Sequence, residues 1–264
     1  MGANVIAAAL VPGLVIGLAL GLLGGGGSIL TVPVFVYILG FDPKPAIAMS
    51  LAVVGVTSAL GTAGHWRKGN VNVRIALVFG GVAMLGTLLG VRVSRLVPGT
   101  TQLIIFGTAM LAAAVFMFRG RPARDEDRGD YVAPPVVSAR RVVPGGLFVG
   151  VLTGLVGVGG GFLIVPALVL MRMSLREAVG TSLLIITGTC LSGFLGYLGQ
   201  VTLDWTAMAL VSAGTLPGIA LGGYLHQFVP QSVLRRAFAV FLVIMAAFIL
   251  IENLGPLSAV SRGH

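Results

Sequence analysis

Two glycine clusters hold the residues whose types and spacing have the clearest chemical use. The stretch GGGGSILTVP, from Gly24 to Pro33, returns as GVGGGFLIVP from Gly157 to Pro166, and the two prolines lie 133 residues apart. Inside a helix Gly costs about 1 kcal/mol and Pro about 3 kcal/mol relative to Ala, so both clusters predict an interrupted helix. A half-helix starting after such a break, at Ser28 or at Phe162, aims free N–H groups and a positive dipole end at the gap, which suits an anion. The expected anion site is therefore lined by Gly24, Gly25, Gly26, Gly27, Ser28 and Thr31 on one side and Gly157, Gly159, Gly160 and Gly161 on the other. The bland alternative is that the glycines only let helices cross closely, as Gly17/Gly21, Gly86/Gly90 and Gly214/Gly218/Gly222 do by their four-residue spacing.

Hydroxyls on the flanking apolar runs are the next candidates, because they donate hydrogen bonds without fixing a charge in lipid. Ser50, Thr57 and Ser58 have counterparts in Ser182, Thr189 and Cys190, with Thr181 and Thr187 added. Ser50, Thr57, Thr181, Ser182 and Thr189 join the expected site, although each hydroxyl also has a carbonyl one turn back to bond. For proton coupling the candidates are His65, beside Trp66, Arg67 and Lys68, and Glu177, beside Arg176. An unperturbed imidazole titrates near about pH 6.5, but an interfacial histidine and a carboxylate favouring its own helix N-terminus account for both equally well. His226, near a helix end, is a weaker candidate, and Asp204 and Glu252 read as interfacial.

Other chemistries lack their residues. Neither glycine cluster completes a dinucleotide fingerprint or a phosphate loop with its lysine, so no nucleotide or other cofactor is expected. Cys190 is the lone cysteine, which leaves no disulfide framework and no thiolate metal site. With no Ser/His/Asp set, two-His metal site or carboxylate pair in the apolar runs, neither a metal site nor an enzyme is expected.

The elements that position these groups must lie in a bilayer. The chain of 264 residues is 56% hydrophobic and 9% charged, with a mean hydropathy of +1.03, and a charged share so far below about 25% describes an all-α integral membrane protein. Forty glycines fit close-packed membrane helices. Apolar runs cover 4–23, 28–40, 45–64, 75–91 and 101–118, then 142–156, 160–171, 178–199, 205–225 and 237–251. The first is long enough to span and has no basic leader, so it reads as permanent and not as a cleaved signal. Residues 119–141 form a charged linker between a first transmembrane repeat, 1–118, and a second, 142–264.

The halves align further: Ser50, Thr57, Gly61, Gly86, Gly90 and Pro98 match Ser182, Thr189, Gly193, Gly218, Gly222 and Pro230 at an offset of 132. The net charge of +9 reads as a topology signal, with no nucleic-acid partner, because the basic residues lie between the apolar runs. If the two short runs reverse direction, one side receives Arg67, Lys68, Arg74, the six linker arginines, Arg172, Arg176, Arg235 and Arg236, and the other only Lys44, Arg92, Arg95 and Arg262. That split of 13 to 4 among 17 basic residues, against 10 to 7 for single broken crossings, favours inverted repeats with a cytoplasmic linker. The architecture expected is eight to ten membrane segments including glycine-broken short or re-entrant helices.

The sequences GGGGSILTVPVFVYILGFDPKPAIAMSLAVV, GHWRKGNV, GLVGVGGGFLIVPALVLMRMSLREAVGTSLLII and GYLGQVTLDW resemble the TauE/SafE sulfite exporter family, and the resemblance covers nearly the whole chain. It implies a multi-pass transporter of the bacterial inner membrane for small sulfur oxyanions or organosulfonates. Ser28 stands where the second copy has Gly161, so the two half-sites need not be equivalent. The expected function is secondary transport of a small anion by alternating access, with a selective anion channel, or a carrier for a non-sulfur anion, as the alternative. The partners are that anion and the lipid bilayer, and a homo-oligomer stays open.

Overall fold

The computed structural model describes residues 3–119, 139–171, 173–225 and 231–260. Most of the expected linker, together with Arg172, His226, Pro230 and Arg262, lies outside them. Every regular element among the described residues is helical. In the first half these are α1 (Ala3–Leu23), a composite segment from Gly24 to Ile38, α3 (Pro43–Arg67), α4 (Val73–Ser94) and α5 (Gly99–Arg119). The composite consists of a 3-10 stretch Gly24–Leu30, the single turn α2 (Thr31–Pro33) and a π turn Val34–Ile38. The second half has α6 (Ala139–Val156), α7 (Gly161–Leu170), α8 (Leu175–Tyr197), α9 (Trp205–Leu225) and α10 (Gln231–Val260).

Each apolar run thus becomes one helix or one composite segment. Within the described residues, α3, α4, α8 from Arg176, and α9 are long and apolar enough to cross a bilayer. Shorter apolar helices cover Ala9–Leu22, Gly25–Ile38, Gly99–Val115, Val143–Val156 and Ala239–Asn253. Polar residues set several starts. Asn72 accepts from the Ile75 N–H (3.2 Å) ahead of α4, and Asp204 accepts from the Thr206 and Ala207 N–H groups (both 2.9 Å) ahead of α9. Ser174 caps α8 through the Glu177 N–H (3.3 Å), with Glu177 at the third position of a capping box. At α3, Pro43 occupies the first turn, where its missing N–H costs nothing.

Small residues decide which helices pair. Along α1 and α9 a Cβ added to Gly214 would stand 3.1 Å from the Gly13 Cα, one on Gly218 2.9 Å from the Gly17 Cα, and one on Gly222 2.9 Å from the Gly21 Cα. The matched numbers rise together, so these helices run in the same direction with their backbones nearly touching. The α4–α6 seam repeats this: Gly86 meets Gly150 (3.2 Å), and Gly154 meets Thr87 and Val91 (2.9 Å each). Glycines at four-residue spacing are what such close crossings need where lipid tails offer no competing hydrophobic drive.

The centre is built differently. Gly193 of α8 meets Leu51 of α3 (3.0 Å), Gly55 meets Cys190 (3.2 Å), Gly61 meets Leu183 (3.1 Å) and Gly180 meets His65 (3.0 Å). One series rises as the other falls, so α3 and α8 are antiparallel. Around them, Leu51, Val54, Phe79, Phe106, Ile186 and Leu242 are buried in one core. Leu77 of α4, Leu96 just beyond it and Ile251 of α10 remain 70%, 86% and 74% exposed, the apolar surface that a bilayer covers.

Gly218→Val is expected to wedge α1 from α9 and to lower the thermal midpoint of the detergent-solubilised protein by about 5 °C or more, from an overpacking cost of about 1–3 kcal/mol. Gly81→Val, at a position with nothing within 4 Å of an added Cβ, is expected to change it by less than about 2 °C.

Candidate functional site

The two glycine clusters meet. A Cβ on Gly161, the first residue of α7, would lie 2.5 Å from the Gly25 Cα, and one on Gly25 would lie 2.6 Å from the Gly161 Cα and 2.7 Å from Ile186 Cδ1. Only a pair of glycines permits this backbone-on-backbone contact, and no anion fits between these two residues as they stand. Both segments also fold back on the helix that precedes them. Gly27 lies against the Ala19 and Leu20 backbone of α1, and Gly160 lies against Val149 and Thr153 of α6.

The two clusters differ in backbone. Gly157, Gly159 and Gly160 have φ of 79°, 67° and 67°, left-handed values that disfavour any side chain. Gly24 to Gly27 instead continue from α1 as a 3-10 helix, and none of them is among the described glycines with positive φ. The expected start of a half-helix at Ser28 is therefore moved: helical hydrogen bonding runs through the first cluster, whereas the second interrupts the helix and α7 opens one residue early, at Gly161. A 3-10 stretch winds more tightly, with about three residues per turn, and keeps the backbone in the helical region.

Backbone groups freed at the second cluster find partners. The Gly157 N–H donates to Thr153 O (2.8 Å), and the Leu163 and Ile164 N–H groups donate to Gly160 O (2.9 and 3.0 Å). Ser50 Oγ lies 2.5 Å from Gly157 O and 2.7 Å from Ile47 O, a hydroxyl of α3 donating to the break of the other half. Gly159 is enclosed by Val54, Ile186 and Cys190, each 3.0 Å from an added Cβ. A small pocket beside Gly160 is lined by Ala109, Leu152, Thr153, Val156, Val158 and Leu163, too apolar to receive an anion.

The other expected residues divide into groups. Ser28 Oγ donates to Gly25 O (2.8 Å), and Thr57 Oγ1 lies 2.7 Å from both Val53 O and Thr215 Oγ1 of α9. Ser182 and Thr189 donate to carbonyls of their own helix, Val179 O and Ile185 or Ile186 O. Thr181 is placed elsewhere, since its Oγ1 accepts from the Asn72 N–H (2.9 Å), and Asn72 Nδ2 donates to Glu177 Oε1 (3.0 Å). His65 packs beside Gly180 near the same turn, so His65, Asn72, Glu177 and Thr181 share one end of the α3–α8 crossing. Thr31 Oγ1 and Ser58 Oγ are buried and have no hydrogen-bond partner among the described residues. A buried hydroxyl in that state ordinarily costs about 1–3 kcal/mol.

Sequence reasoning did not find Val54 and Ile186, which pack against Gly159, nor Asn72. Val54 and Ile186 look like ordinary span residues. Asn72 carried a usable signal, a capping residue just before an apolar run.

A family model described as Sulfite exporter TauE/SafE matches residues 9–249. A probable membrane transporter protein of Xylella fastidiosa (strain Temecula1) is 33% identical over 248 residues, covering 92% of this chain and 94% of that one. The probable membrane transporter protein YdhB of Bacillus subtilis is 27% identical over 224 residues, covering 84% and 91%. One from Methanocaldococcus jannaschii is 24% identical over 258 residues, covering 92% and 94%. No solved structure matches.

Ser50→Ala removes the donor to Gly157 O and is expected to lower the thermal midpoint by about 2–10 °C, from an unpaired carbonyl costing about 1–3 kcal/mol. Differential scanning fluorimetry in detergent reads it, and an unchanged midpoint would mean that Ser50 does not hold the break.

Proposed function

The chain belongs to the TauE/SafE sulfite exporter family, and from that premise we propose that this multi-pass membrane transporter carries a small sulfur oxyanion or organosulfonate across the bacterial inner membrane by alternating access. The observation that carries the reading is the contact of Gly25 with Gly161, beside Ile186 of α8. Irregular backbone at membrane depth is tolerated only where protein or a polar cavity covers it, and transporters place their sites at such paired interruptions. In the closed arrangement each break seals the other. Parting them to one side at a time exposes the backbone N–H groups around Gly24–Ser28 and Gly157–Gly161 to an anion.

Inverted repeats are the architecture we propose. α3 and α8 occupy matching positions of the two halves and run antiparallel, which fits a two-fold axis in the membrane plane. End contacts support the same topology. Asn72 meets Glu177, whereas Arg95 Nε donates to Gln200 Oε1 (2.8 Å) at the other ends of α4 and α8. Under the charge split this puts Arg67, Lys68, Arg74 and Arg176 in the cytoplasm with the linker, and Lys44, Arg92 and Arg95 outside. The membrane potential, negative inside, drives an anion outward by about 2.3 kcal/mol per charge per 100 mV, so export needs no coupling ion. For coupled transport His65 and Glu177 are the proton-carrying candidates.

Gly26→Leu is expected to abolish anion flux in proteoliposomes while the protein still reaches the membrane; flux at the wild-type rate would sink the site. A thermal-shift panel of sulfite, sulfate, thiosulfate, sulfoacetate and taurine should single out the substrate as the compound that stabilises the folded protein. Counterflow of labelled against unlabelled anion is expected of a carrier, and single-channel conductance would instead establish the channel.

A further inference from the structure

Most helical hydroxyls in this protein follow one habit, and buried Ser58, like Thr31 in the single turn α2, departs from it. Ser50, Thr57, Thr62, Thr87, Ser94, Thr153, Ser182, Thr187, Thr189, Ser192 and Thr215 all lie within hydrogen-bond distance of a carbonyl three or four residues back in their own helix. That bond is the default for a Ser or Thr inside an apolar helix, because it satisfies the hydroxyl locally. Ser58 sits in the middle of α3, fully buried, with the Val54 and Gly55 carbonyls one turn back, yet its Oγ bonds neither and has no partner among the described residues.

Its position gives the departure a meaning. Residues four apart share a helix face, and Val54, one turn before Ser58, touches the second glycine break at Gly159. Gly55, three residues before, touches Cys190. The repeat matches Ser58 with Cys190 at the offset of 132, and Cys190 Sγ stands 3.0 Å from an added Cβ on Gly159. Ser58 thus lies one turn beyond Val54 on the α3 face that touches the second break, while Cys190 packs on Gly159 from α8, and a thiol is a weaker donor than a hydroxyl.

We propose that Ser58 is a substrate-binding and specificity-determining residue, whose hydroxyl donates a hydrogen bond to an oxygen of the transported anion and draws it toward the first half of the protein. This rests on the reading above, that a small anion enters between the glycine breaks. Cys190 then packs beside the second break and contributes no comparable bond. The half-sites differ accordingly, with Ser58 and Ser28 in the first where the second has Cys190 and Gly161.

The test is sulfite uptake into proteoliposomes by the full-length protein. Ser58→Ala is expected to raise the KM about tenfold or more with little change in maximal rate, as loss of a hydrogen bond to a charged group predicts. Ser58→Thr should restore most of the affinity, and Ser58→Cys should not. Without sulfite the thermal midpoint of Ser58→Ala should be no lower than that of wild type, because removing an unpartnered buried hydroxyl breaks no bond, which separates binding from folding. Wild-type flux with an unaltered KM in Ser58→Ala would overturn the role of Ser58 alone. A wild-type protein that moves no anion of the panel would overturn the transport reading and this proposal with it.

Discussion

A backbone group that leaves its helix inside hydrocarbon must find a partner in the protein, and the centre of this structure is arranged around that requirement. The chain departs from regular α-helix at two glycine clusters, and each departure is covered by the other. Gly25 and Gly161 close on one another, Ser50 of α3 reaches Gly157 O, and Gly160 O takes two N–H groups from the opening turn of α7. The antiparallel α3–α8 crossing supplies the wall, with Val54, Ile186 and Cys190 packed directly on Gly159. With a side chain on either glycine of the central contact, the segments would stand apart and their carbonyls would face lipid or a cavity.

The two departures solve the problem by different means. The second cluster uses left-handed φ at Gly157, Gly159 and Gly160, so the helix stops and restarts. Its counterpart keeps hydrogen-bonding through a 3-10 stretch, with Ser28 Oγ closing onto Gly25 O. Two similar glycine clusters therefore form an unequal pair of turns at the centre. Four consecutive glycines can wind tightly in the right-handed region, whereas Gly157-Val158-Gly159 places a β-branched residue between two glycines and leaves them to take the positive φ.

Much of this architecture was legible in the residues. Each of the ten apolar runs corresponds to a helix or composite segment, because length and hydropathy decide what a bilayer accepts. The four-residue glycine spacings in α1, α4 and α9 become backbone contacts, since close crossing has few other uses for glycine. Partnership was not legible: nothing in α1 states that it pairs with α9, or in α4 that it pairs with α6, because glycine seams are interchangeable as patterns. Thr181 also read as a site hydroxyl, yet it serves Asn72, since a periodic pattern gives the face of a residue but not the turn packed against it. Ser58 lay hidden for a related reason. The sequence shows a hydroxyl in a span, and only the structure shows that it has no hydrogen-bond partner among the described residues.

The packing also indicates where the proposed movement costs least. The α1–α9 and α4–α6 seams join backbones over several turns, so sliding along them would drive Cα atoms into carbonyls at Gly17, Gly21, Gly86 and Gly150. Each seam behaves as a stiff pair, since tightly packed surfaces shift between discrete arrangements and do not deform continuously. The contact between the breaks is of another kind, one glycine against one glycine with flexible Ile186 beside it. Polar ties sit at both ends of the α4–α8 contact, Asn72 with Glu177 at one and Arg95 with Gln200 at the other, and they resist separation of those helices. The movement we propose therefore keeps the seams intact, carries segment 24–38 with α1 and α7 with α6, the helices they fold back on, and parts Gly25 from Gly161.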